Sequence, residues 1–64
     1  MSDSILAAIV TDAVRRSTVT EVSRASGVDR SLIHRYMDGS VQPSLKQLQR
    51  ILDSVGLRLE LSVR

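Results

Sequence analysis

The sequence predicts an all-α domain of four to five short helices that ends in a single β-strand. Three observations carry that reading. Between Thr18 and Gly39 the segment TVTEVSRASGVDRSLIHRYMDG holds two successive start-and-stop patterns, each enclosing the length of a short helix. On both sides of it, apolar residues recur at spacings of three and four. From Leu57 to Val63, by contrast, LRLELSV alternates strictly between apolar and polar.

The first helix can be capped by Ser2, Asp3 or Ser4. Ile5, Leu6, Ile9, Val10, Ala13 and Val14 form a broad apolar stripe, expected to floor the core. The Arg15-Arg16 pair suits the negative end of its dipole. Thr18 followed by Glu21 is a capping box, in which hydroxyl and carboxylate each satisfy an orphan backbone N–H. The second helix then runs roughly from Val19 to Ser26, with Val22 inward and Ser23 small enough for a neighbouring helix to approach. Gly27 supplies the positive φ of a tight corner. Asp29 is an N-cap whose charge also favours the positive helix end, so a third helix runs from Arg30 to about Met37 and stops at Gly39. Pro43 and Ser44 stiffen the next helix start, and Ser44 with Gln47 makes a second capping box. Leu45, Leu48, Ile51, Leu52 and Val55 follow at helical spacing, and Gly56 ends them. No internal repeat or low-complexity linker interrupts this order.

Within the third helix, Ile33 and Tyr36 fall three apart and can pack inward with Val28, which leaves Arg30, Ser31, His34 and Arg35 outward. That outward set suits the major groove of duplex DNA. Arginine grips guanine O6 and N7 in bidentate fashion, serine and histidine donate or accept at base edges, and a second arginine can hold a phosphate.

Over roughly Ser17 to Val55 the chain resembles the lambda-repressor-like (Xre/Cro) helix-turn-helix family. The resemblance lies in Ser23, Gly27-Val28, Ile33 and Tyr36, then in Gly39 followed by Gln42-Pro43-Ser44-Leu45 and an amphipathic helix. It implies base contacts by Arg30, Ser31, His34 and Arg35, with phosphate contacts by Thr18, Arg24, Gln42, Ser44 and Lys46. Two positions depart from the pattern. Val19 stands where many members open the first short helix with glutamine, and Asp38 where relatives often place a neutral or basic phosphate-contacting group.

Composition fits one small domain over residues 1–56 and a separate strand over 57–64. At 64 residues a lone core is only marginally stable, so association would help. Tyr36 is the single aromatic, which makes the core aliphatic and thin. The absence of cysteine removes disulfides and thiolate metal sites. No apolar run approaches the roughly 20 residues of a bilayer span, and a soluble, cytoplasmic protein is expected. Net charge is only +2, but five arginines fall between Arg15 and Arg35 against Glu21 and Asp29. One histidine and no glycine-rich phosphate loop leave little material for catalysis, so neither enzyme activity nor a cofactor is expected.

The tail places Leu57, Leu59, Leu61 and Val63 on one face and Arg58, Glu60 and Ser62 on the other. A lone strand leaves its backbone unpaired, and pairing with the same segment of a second copy gives an antiparallel ribbon across a two-fold axis. A homodimer is therefore expected, with those four apolar residues at its interface. Gly56 to Leu61 also resembles the dimerising tail of antitoxin members of the family. A two-fold dimer would set its recognition helices about 34 Å apart in successive major grooves and read an inverted repeat. The reading is a homodimeric transcriptional repressor. The alternatives are an antitoxin that also binds and neutralises a toxin protein, and a protein-interaction module that keeps the scaffold without binding DNA.

Overall fold

The computed structural model describes residues 5–57, most of which lie in four α-helices: α1 (Ile5–Arg15), α2 (Val19–Ser26), α3 (Arg30–Asp38) and α4 (Leu45–Ser54). The starts of the last three are set by side chains. Thr18 Oγ1 accepts from the Glu21 N–H at 3.1 Å, Asp29 Oδ2 from the Ser31 N–H at 3.1 Å, and Ser44 Oγ from the Gln47 N–H at 3.2 Å. Both expected capping boxes form only this hydroxyl half. The Glu21 carboxylate turns instead to Arg24, one turn along the exposed face of α2, at 3.3 Å. Gln47 Oε1 is enclosed without a hydrogen-bond partner among the described residues.

The corner between α2 and α3 is tied by two serines. Gly27 takes φ +77°, and no atom lies within 4 Å of the place a Cβ would occupy. Backbone conformation rather than crowding therefore selects glycine here, and a side chain would cost about 1 kcal/mol. Ser26, buried, donates to the Val22 carbonyl at 2.5 Å and accepts from the Val28 N–H at 3.2 Å. Ser23 Oγ donates to the Val28 carbonyl at 2.7 Å, so both backbone groups of Val28 are held by hydroxyls of α2.

α1 packs against α3 and α4, and α2 packs against the same two helices. Between them lie Val10, Ala13 and Val14 of α1, Val22 of α2, Val28 of the corner, Ile33 and Tyr36 of α3, and Leu48, Ile51 and Leu52 of α4. Leu6, Ile9, Val19, Leu32, Met37 and Val55 pack half-buried around them. Two residues expected in the apolar stripes are not in the core. Ile5 is 75% exposed and Leu45 56%, because each opens its helix at the edge of the buried stripe.

α4 ends in a Schellman motif. The Gly56 N–H donates to the Asp53 carbonyl at 3.1 Å and the Leu57 N–H to the Leu52 carbonyl at 2.8 Å, with Gly56 at φ +77°. The Leu57 side chain packs half-buried against the core of its own chain. Beyond Leu57 the expected strand lies outside the described residues, as do Leu59, Leu61 and Val63 of the expected dimer contact and the first-helix caps Ser2, Asp3 and Ser4. Leu57 itself is in neither helix nor strand. Among the described residues no helix is long and apolar enough to cross a membrane.

Candidate nucleic-acid interface

The nine residues of α3 divide cleanly by side. At about 100° per residue, the buried Ile33 and Tyr36 lie about 60° apart, with the half-buried Leu32 and Met37 flanking them. Arg30, His34, Asp38, Ser31 and Arg35 occupy a continuous exposed arc of about 140° on the other side. All four residues assigned to base contact are therefore on one solvent-facing ridge, which the core orients through Ile33 and Tyr36. Among the described residues neither Arg30 nor Arg35 forms an ion pair or a side-chain hydrogen bond. Two guanidinium groups thus stand uncommitted on the ridge.

Acidic residues bracket it, and each is engaged locally. The Asp29 carboxylate accepts from both the hydroxyl and the N–H of Ser31, and these bonds hold it below the usual carboxylate range, the hydroxyl bond contributing most. The Asp38 carboxylate is lowered in the same way by the hydroxyl and then the N–H of Ser40, the latter at 2.7 Å. Asp38 thus fastens the loop that follows α3, where Gly39 ends the helix with its N–H on the Tyr36 carbonyl. The bond to Asp29 also narrows the chemistry of Ser31. With its proton donated to Asp29, the Ser31 oxygen is left as an acceptor, suited to the amino groups of cytosine or adenine.

The residues assigned to phosphate lie on three different elements, all exposed. Thr18 caps α2 and Ser44 caps α4, so both oxygens already accept a backbone N–H. Gln42 sits in the loop before α4, and Lys46 in its first turn without an ion pair among the described residues. Arg24 pairs with Glu21, but both side chains are more than half exposed, and such a pair contributes only about 0.2–1 kcal/mol. Arg16 is similarly paired with Asp12 at 3.3 Å.

Arg30, Ser31 and His34 do not face solvent alone. With Val19 and Thr20 of the first turn of α2 they line an open groove of about 490 Å³. The wall made by α2 escaped the sequence reading, because nothing in the spacing of Val19 and Thr20 says that the corner folds them back beside α3. Among the described residues, fold and site define a four-helix, all-α arrangement that presents a cationic, hydrogen-bonding ridge. Compared with known proteins, the chain matches no family model, no curated protein and no solved structure.

Proposed function

We propose that this chain is a sequence-specific DNA-binding transcriptional regulator on a lambda-repressor-like helix-turn-helix scaffold. α3 is the helix that enters the major groove. The observation carrying the reading is the exposed arc of α3, on which two guanidinium groups without an ion pair among the described residues flank an imidazole and a serine oxygen while the opposite side is locked in the core. Arg30 and Arg35 supply bidentate readers, Ser31 and His34 single hydrogen bonds, and Arg24 and Lys46 neutralise phosphate. Two copies, joined through the alternating tail, present two such ridges to an inverted repeat. The bound dimer is proposed to work by occupying a promoter in the cytoplasm and excluding polymerase.

A salt titration on duplex DNA tests this. Arg24 and Lys46 from each of two protomers neutralise four phosphates, so affinity should fall with a log-log slope near −3.6. Lys46→Ala should reduce that slope by about 1.8 in the dimer and weaken all sequences alike. Arg30→Ala should cost about 1–3 kcal/mol per half-site on the preferred duplex and relax sequence preference. A chain that binds no duplex at low salt, or whose affinity ignores salt, overturns the proposal in favour of a protein-interaction module.

A further inference from the structure

We infer that the groove between the first turn of α2 and the face of α3 reads the 5-methyl group of a thymine, with Val19 and Thr20 as specificity-determining residues. The inference rests on the DNA-binding reading above and goes beyond it, since neither residue lies on the recognition helix. One wall of the groove is Arg30, Ser31 and His34, and the other is Val19 and Thr20. Val19 is half-buried, so it packs on the core while still lining the groove. Thr20 is exposed, and among the described residues its hydroxyl makes no hydrogen bond. The α2 wall therefore offers the methyl groups of Val19 and Thr20 beside a single uncommitted hydroxyl, where the α3 wall offers donors and an acceptor.

Among base edges in the major groove, the thymine C5-methyl is the one bulky apolar group, and the other recognition groups there are donors or acceptors. An apolar wall set against a purine N7 would strip water from that acceptor and return nothing. Set against thymine it removes a methyl group from water. Arg30 beside it selects for an anionic duplex, which commits the groove to DNA rather than to an apolar peptide.

The experiment uses the full chain and duplexes selected from a random pool. Each thymine of the selected site is replaced in turn by uracil, which differs only in lacking the methyl. At one position per half-site the replacement should weaken binding about fourfold, the factor expected for one buried methyl. Thr20→Ser and Val19→Thr each remove a methyl contact with little change of shape. In one or both the uracil penalty should shrink toward onefold, while unsubstituted half-site spacing stays the same. The inference is overturned if no thymine-to-uracil replacement affects binding, or if the penalty survives unchanged in both variants. Those outcomes leave the DNA-binding reading intact, whereas failure to select any duplex overturns both.

Discussion

Replacing Ser26 by alanine should weaken the whole domain more than any other single hydroxyl removal in the corner. Its oxygen bridges the Val22 carbonyl at 2.5 Å and the Val28 N–H at 3.2 Å, with Ser26 only 8% exposed and Val28 3%. Alanine keeps the helix but strands the Val28 N–H away from water, which costs about 1–3 kcal/mol. Losing the bond to Val22 adds less, because a carbonyl has a second lone pair. A domain of this length has a total stability of roughly 3–10 kcal/mol at 0.05–0.15 kcal/mol per residue. A loss near 2 kcal/mol therefore removes a large fraction, and at about 4–8 °C per kcal/mol it lowers Tm by roughly 8–16 °C. Urea and thermal unfolding followed by far-ultraviolet circular dichroism measure it, with Ser17→Ala as the comparison. Ser17 is exposed and its hydroxyl is unbonded among the described residues, so that change should stay within about 0.5 kcal/mol. Should the two variants unfold together, the bridging role of Ser26 is refuted.

Two further outcomes follow. Asp29 and Asp38 have carboxyls depressed chiefly by the hydroxyls of Ser31 and Ser40, so their stabilisation is present above the unfolded value near 3.9 and is lost as pH falls through the folded ones. The urea midpoint should thus drop below about pH 4, and Asp29→Asn with Asp38→Asn should flatten part of that drop. Because hydrogen bonds outweigh charge in both shifts, added salt should barely alter the slope, and a strongly salt-dependent slope would contradict this origin. Truncation after Leu57 should give a monomer in sedimentation equilibrium that still folds, since the Schellman closure and the half-buried Leu57 are retained, but that melts below the full chain because the stabilisation by association is lost. A truncated chain that still dimerises would refute the ribbon.

What could be read from the sequence was whatever is fixed within one turn of helix. The three N-caps, the stop residues Gly27, Gly39 and Gly56, and the inward Ile33 and Tyr36 depend on neighbours three or four residues away, so their spacing is visible in the chain. The bounds of α2 came out as read, and α3 ran one residue further, to Asp38, directly before the cap Gly39. What was not legible depends on competition or on distant contact. Glu21 could turn back to Thr18 or forward to Arg24, and local spacing permits both. The exposure of Ile5 and Leu45 follows from where the core stops, which periodicity does not encode. Ser26 resembled any helix-end serine until the corner buried it, and Thr20 resembled any first-turn residue until α3 packed beside it.

The proposed dimer answers an energetic requirement as well as a pattern in the tail. One α3 offers two groups capable of bidentate base contact, Arg30 and Arg35, each discriminating by about 1–3 kcal/mol. On the proposed DNA-binding reading, a single copy would command roughly 2–6 kcal/mol of sequence preference from its arginines. Specific sites are typically favoured over random DNA by about 4–10 kcal/mol, so one copy reaches only the lower part of that range. Two copies on an inverted repeat double the figure with no new residue, and the locked corner around Val28 keeps each ridge from losing part of it to reordering. Under the proposed function, a helix this short would make sequence preference and self-association one requirement, since nine residues cannot carry a further pair of readers without giving up the inward side that holds them in place.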